Sequence, residues 1–252
     1  INKQKPVVKT NFMLDTVLTI QAYGDSATEA IDEAFERIND IERKMTVRGE
    51  VSEVISLNES SGDRFYKVSP DTFFVIKKGI EHSKKSQGRF DITIGPLVQL
   101  WGIGTENAKV PLKEEVIEKL SLVNYNYIYL DEEQKSVKLE KPGMSIDLGG
   151  IAKGYAADEV ALILKKYDIK SSIIDLGGNI YVIGSKPDGN PWTIGLQDPF
   201  DTRGSIFATV EVVDKTLVTS GPYERFIEKD GKKYHHILDT STGFPVENTL
   251  IG

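Results

Sequence analysis

At 252 residues, with 39% hydrophobic and 27% charged residues, the chain can bury one large core or two modest ones and is not a disordered polypeptide. Its net charge of −7 argues against a general nucleic-acid or anionic-membrane binder, since both rely on a basic footprint. With no cysteine, disulfides, thiolate metal sites and cysteine catalysis are excluded, and no apolar run approaches the roughly 18 residues of a membrane span.

The chain opens Ile1-Asn2-Lys3 without an initiator Met or an apolar leader, so an upstream piece is expected to have been removed. Phe12 to Tyr23 reads as extended. Ser26 is placed to cap a helix whose apolar stripe is Ile31, Ala34, Phe35, Ile38, Ile41 and Met45. Val47 to Lys67, with Gly49, Asn58, Ser60, Ser61 and Gly62, reads as a loop around a short helical piece holding Val54, Ile55 and Leu57. Pro70 and Asp71 open a second helix, through Ile76 and Ile80, that ends near Gly88. From Gly88 to Pro111 the density of glycine, proline and aromatic residues fits either a binding loop or a packed surface loop anchored by Trp101. A helix with Val116, Ile117 and Leu120 follows, then a hairpin of Ile128 to Leu130 with Val137 to Leu139.

Met144-Ser145-Ile146 reads as a strand that turns through Asp147-Leu148-Gly149-Gly150 into a helix, on which Ala156, Ala157, Val160, Ala161, Leu164 and Tyr167 recur at helical spacing. A helix start behind a glycine pair exposes backbone N–H groups, which is how proteins commonly hold a phosphate. The stretch is neither a P-loop nor a dinucleotide fingerprint: Lys153 is followed by Gly154, and no G-x-G-x-x-G can be written across it. A helix terminus contributes only about 0.3–1 kcal/mol at an exposed site. In a chain of net charge −7, a pyrophosphate ligand is therefore expected to need a divalent cation as well. Beyond this helix the chain is mostly strand: Ser172 to Leu176, Ile180 to Ile183, Trp192 to Leu196, Ile206 to Val213, Leu217 to Val218, Glu224 to Ile227 and Tyr234 to Leu238. A helix-rich N-terminal part and a strand-rich C-terminal part make the expected fold class α+β.

Four kinds of residue can carry chemistry. His235 and His236 are adjacent, so in an extended segment they point to opposite faces and only one serves a given site; spacing does not choose between them. Asp147 and Asp175 each precede a glycine pair, where an Asp is equally good turn chemistry. Lys153 reads as a phosphate contact or an exposed helix lysine, and Thr219-Ser220-Gly221 as a ligand contact or a turn. No Gly-x-Ser-x-Gly nucleophile elbow occurs.

Five segments together resemble the FAD:protein FMN transferase (ApbE) family: Met13-Leu14-Asp15-Thr16; Arg89-Phe90-Asp91-Ile92-Thr93-Ile94-Gly95-Pro96-Leu97; Asp147 to Ala156; Thr219-Ser220-Gly221; and His236-Ile237-Leu238-Asp239 with Thr242-Gly243 and Pro245. They stand in the family's order across nearly the whole chain. The resemblance implies one flavin transferase domain over residues 1–252, with the family's ApbE-like α+β fold. It implies an enzyme that cleaves FAD, joins FMN through a phosphoester to a Thr or Ser of an acceptor protein, and releases AMP with the help of Mg²⁺. It places Met13 against the flavin, Arg89, Phe90 and Asp91 in the FAD pocket, Asp147 and Lys153 on FAD, the Gly150 carbonyl on Mg²⁺, and Leu238 along the pocket. It also selects His236 over His235 as the base for the acceptor hydroxyl.

Two departures from the family pattern are visible. Val47 stands where many members place an aromatic residue after the first helix. The chain stops at Thr249-Leu250-Ile251-Gly252, before the Asp and Thr with which the family completes its Mg²⁺ site, so the intact enzyme is expected to be longer. Exported family members are tethered outside the cytoplasmic membrane by a lipidated N-terminal cysteine, and the polar start is compatible with such a trimmed lipoprotein. The alternatives to transfer are hydrolysis of FAD to FMN and AMP, a non-catalytic FAD-binding protein, and a peptide-interaction module that binds no nucleotide.

Overall fold

The run Val17-Leu18-Thr19-Ile20-Gln21-Ala22 alternates apolar residues on one face, and Leu18, Ile20 and Ala22 are completely buried. In the computed structural model, which describes residues 5–202, 204–223 and 225–247, this run is the second strand of a hairpin. β1 (Val7–Met13) and β2 (Thr16–Tyr23) pair antiparallel, closing at Met13 opposite Thr16. α1 (Ala27–Met45) follows, with Ile31, Ala34, Ile38 and Ile41 of its predicted stripe fully buried. α2 (Glu53–Glu59) begins where the Ser52 hydroxyl accepts the Ile55 N–H at 2.9 Å. After the short β3 (Tyr66–Lys67), α3 (Pro70–Lys85) starts on Ser69 with Pro70 in its first turn. Then come α4 (Gly95–Trp101), α5 (Lys113–Leu120), β4 (Ile128–Asp131), β5 (Ser136–Leu139) and α6 (Gly149–Lys166). The strands β6 (Ser171–Leu176), β7 (Asn179–Ile183), β8 (Trp192–Gln197), β9 (Ile206–Val212), β10 (Thr216–Val218), β11 (Phe226–Lys229) and β12 (Lys232–His235) complete the chain.

The chain folds into two compact units, each built from two separate stretches. One takes the described residues up to Glu42 together with Lys153–Ser220, and the other takes Arg43–Ala152 with the described residues from Gly221 onward. The first holds an antiparallel sheet in the order β1-β2-β6-β7-β10, with Leu18 and Ile20 of β2 and Ile174 and Leu176 of β6 at its core. On α6 the residues Ala156, Val160 and Leu164 are buried, as their spacing predicts. Beside that sheet, Val182, Trp192 and Ile194 form a smaller cluster covered by Tyr23, Ile173 and Leu217. The second unit holds the β3-β5-β4 sheet and the β11-β12 ribbon, with Leu57, Ile76, Ile92, Leu97, Trp101 and Leu139 buried in it. Antiparallel ladders, with α1 to α5 in the first part and the run β6 to β12 in the second, make the fold α+β.

Four local expectations are corrected. The extended segment expected from Phe12 to Tyr23 is interrupted by a two-residue turn at Leu14 and Asp15, so it forms two strands and not one. Met144-Ser145-Ile146 joins no ladder: the Asn58 amide takes the place of a neighbouring strand, accepting the Ile146 N–H at 2.8 Å and donating to its carbonyl at 3.0 Å. The loop expected from Gly88 to Pro111 is helical in part, with a 3-10 turn at Ile92–Ile94 followed by α4, and Trp101 is fully buried as the anchor. The strand expected from Tyr234 to Leu238 ends at His235, and Leu238 makes only an isolated bridge to Pro245. The polar start Ile1-Asn2-Lys3, the strand position Glu224 and the terminal run Thr249-Leu250-Ile251-Gly252 lie outside the described residues. Among the described residues no helix is long and apolar enough to cross a membrane.

Candidate active site

The start of α6 is organised by Asp147. Its Oδ1 accepts the Gly149 N–H at 2.7 Å, while the Leu148 carbonyl takes the first helical bonds from Ile151 and Ala152. The Asp147 N–H donates to the Ile92 carbonyl at 2.8 Å, which fastens the helix start to the segment after Asp91. Gly150 lies in the first turn, and a Cβ there would stand 3.0 Å from the Phe90 ring, so the two can meet because residue 150 has no side chain.

Phe90 itself is presented by a short, tied loop. Gly88, with φ +80°, follows the end of α3 and its carbonyl accepts the Thr240 hydroxyl at 2.7 Å. Arg89 is exposed, whereas Asp91 is buried with both carboxylate oxygens engaged. Oδ1 accepts the Thr93 N–H at 2.8 Å and the Thr93 hydroxyl at 2.7 Å, and Oδ2 accepts the Tyr125 N–H at 2.9 Å. Burial pushes the Asp91 carboxyl above its usual range, against the opposing pull of these hydrogen bonds. Asp91 therefore shapes the loop from within, while Arg89 is exposed and Phe90 is half-buried against Gly150.

The segment after β12 is tied to this loop by the Thr240 hydroxyl. Asp239 accepts both the Ser241 hydroxyl and its N–H, at 2.6 and 2.7 Å, and its own N–H is held by the Phe244 carbonyl at 2.8 Å. The Ser241 bonds hold its carboxyl below the usual range, and the Arg89 guanidinium adds to this. Trp101 braces the loop from behind, donating Nε1–H to the Gly243 carbonyl at 2.9 Å between the rings of Tyr234 and Phe244. Gly243 has φ +74°, and a Cβ there would meet Val116 at 2.5 Å.

The two histidines are in different chemical situations. His235 has both ring nitrogens in backbone bonds: Nε2 to the Val246 carbonyl at 3.0 Å and Nδ1 accepting the Ile237 N–H at 3.3 Å. His236 is exposed, and its Nδ1 faces the Arg225 carbonyl at 3.3 Å, the same oxygen that accepts its backbone N–H at 3.1 Å. A carbonyl only accepts, so this contact places the proton of the neutral ring on Nδ1 and the lone pair on Nε2. That is the tautomer a general base needs.

One unit thus brings together Arg89, Phe90, Asp91, Asp147 and Gly150, with the loop carrying His236 and Leu238 tied to Gly88 through Thr240. Met13 and Lys153 belong to the other unit. There Met13 ends β1 and lines an open groove of about 520 Å³ with Asn11, Phe35 and Asn39. Lys153 is half-buried on α6, and the next residue, Gly154, lies against Asn179 at the start of β7. Among the described residues no three His, Asp or Glu side chains converge to hold a metal ion.

The ApbE family model matches residues 14–252 of the chain. The chain belongs to the ApbE family. Among its relatives, the FAD:protein FMN transferase of Klebsiella pneumoniae (strain 342) is 35% identical over 234 residues, covering 93% of this chain and 71% of that protein. That of Treponema pallidum (strain Nichols) is 33% identical, and there the match spans 88% of this chain but only 65% of the relative's length. Among solved structures, the ApbE protein of Thermotoga maritima superposes with a TM-score of 0.89 at 32% identity, over 96% of this chain and 78% of that one. The flavin transferase ApbE of Vibrio cholerae gives 0.85 at 27% identity, over 97% of this chain and 79% of its own.

Within this ApbE chain, sequence reading missed the residues that work through the backbone. The Arg225 carbonyl that sets the His236 tautomer has no side-chain signature, because any residue offers a carbonyl. Asn58, 88 residues from Ile146, was visible only as a loop former.

Proposed function

We propose that this chain transfers FMN from FAD to a Thr or Ser hydroxyl of an acceptor protein. The acceptor oxygen attacks the FMN phosphorus, the pyrophosphate P–O bond breaks, AMP leaves, and the hydroxyl proton passes to Nε2 of His236. The observation that supports this reading is the setting of His236, which is exposed and turns Nδ1 to the Arg225 carbonyl, an arrangement that puts the proton of the neutral ring on Nδ1 and its basic lone pair on Nε2. The remaining catalysis is positioning and electrostatics, as phosphoryl transfer requires. Arg89, the helix start behind Asp147 and Lys153 are the groups we assign to FAD, with Phe90 and Met13 as apolar surfaces for it. The names of the relatives, FAD:protein FMN transferase, support the transfer itself.

Mg²⁺ is the cation this reading expects, from the family resemblance and from the need to bring a pyrophosphate to a chain of net charge −7. The Gly150 carbonyl is the group of this chain we assign to it, and no step is routed through it. By the same resemblance we place the enzyme outside the cytoplasmic membrane on an N-terminal lipid anchor, which lipid labelling of the full-length gene product tests. The activity is tested by incubating enzyme, FAD, an acceptor protein and Mg²⁺, with and without a chelator. Covalent FMN on the acceptor with equimolar AMP supports transfer; free FMN and AMP alone support hydrolysis, and neither product supports FAD binding without catalysis.

A further inference from the structure

The tip of the β1–β2 hairpin holds an unusual backbone. Leu14 and Asp15 both have positive φ, +51° and +57°, between the paired residues Met13 and Thr16. Two left-handed residues in succession make the two-residue turn that suits hairpin twist, normally built from Asn-Gly or Asp-Gly because a larger side chain is sterically opposed there. Leucine in that conformation is strained and persists only where the surrounding structure holds it.

Two contacts hold it in place. From α1, Glu42 Oε1 accepts the Leu14 N–H at 2.9 Å across 28 residues of sequence. On the other side Thr16 fits against Gly177, whose φ is +67° and whose absent Cβ would stand 2.3 Å from the Thr16 hydroxyl. The turn is therefore gripped by a carboxylate from the helix and by a glycine turn from the neighbouring strand pair, with Met13 as the residue that enters it.

We propose that Glu42 is a positioning residue for flavin transfer, its carboxylate locking the Leu14–Asp15 turn so that Met13 is held in one place against the flavin. This rests on the reading above that Met13 meets FAD. Glu42 acts through the Leu14 N–H and Met13, and touches no ligand itself in this scheme.

The test compares Glu42→Leu, which removes the acceptor, with Glu42→Gln, which keeps a carbonyl oxygen in its place, and with Glu42→Leu combined with Leu14→Gly. Glycine takes left-handed φ without strain, so it closes the turn without the anchor. Glu42→Leu is expected to speed amide exchange over residues 12–16 and to raise KM for FAD about tenfold, the scale of one hydrogen bond to a charged acceptor, with kcat little changed. Glu42→Gln stays near wild type, and Leu14→Gly restores most of the KM lost in Glu42→Leu. Should Glu42→Leu not fold, Glu42→Asp, one methylene shorter, is read for the same exchange and KM changes. Unaltered exchange or unaltered KM overturns the proposal, as does a KM that Leu14→Gly leaves unrestored. If wild-type protein neither binds FAD nor transfers FMN, the functional reading itself fails; if wild type does both and loss of the Glu42 anchor changes nothing, only the positioning role fails.

Discussion

His235 and His236 differ by one position and by what their ring nitrogens touch. His235 is a staple between β12 and the chain at Val246, so His235→Ala removes two side-chain bonds to backbone and is expected to cost about 1–3 kcal/mol of stability, read as a lower denaturant midpoint. His236→Ala removes the proposed base and is expected to abolish transfer while leaving the fold and FAD affinity nearly unchanged. Asp239 gives a pH signature. Its carboxyl is held below the usual range by Ser241 and Arg89, so its contribution to stability is present above the ordinary Asp pKa and is lost as pH falls through the depressed folded value. Asp239→Asn removes that acid-limb dependence, which unfolding midpoints across acidic pH measure. Asp91 has the opposite sign: burial raises its pKa, so the folded state gains relative stability as pH falls through the raised value. At this scale the sequence showed which residue types were present, and the family resemblance chose His236; the tautomer depends on a backbone carbonyl and was not readable.

At the scale of elements, amphipathic spacing was the strongest guide. The α1 stripe and the buried face of α6 both stand where their apolar residues put them, because a helix of that pattern has one face that must leave water. Segments held by side chain to backbone bonds were misread. Met144-Ser145-Ile146 has strand composition but takes its hydrogen bonds from Asn58, a contact no local pattern encodes. Asn58→Leu is expected to leave a backbone donor and acceptor of Ile146 without partners, costing about 1–3 kcal/mol, measurable as a fall in Tm. Asp147 carries a separable double role. Asp147→Asn keeps a side-chain acceptor at the helix start and is expected to hold stability within a few tenths of a kcal/mol, whereas Asp147→Ala loses about 1 kcal/mol. If Asp147 also serves FAD, both variants bind FAD more weakly, and only Asp147→Ala unfolds more easily.

For the whole molecule, the α+β class was legible because helical and alternating patterns occupy different parts of the chain. The interleaving of the two units was not: Lys153 follows Ala152 directly yet belongs with the sheet of β1, and Arg225 returns to the unit of Phe90. Such long-range assembly leaves no period in the sequence. The measurement that tests the proposed transfer most directly is the intact mass of an acceptor protein after incubation with FAD, Mg²⁺ and the full-length gene product carrying His235→Ala or His236→Ala. The account predicts acceptor heavier by one FMN with the wild type and with folded His235→Ala, and none with His236→Ala despite retained FAD binding. Undiminished flavinylation by His236→Ala would contradict it.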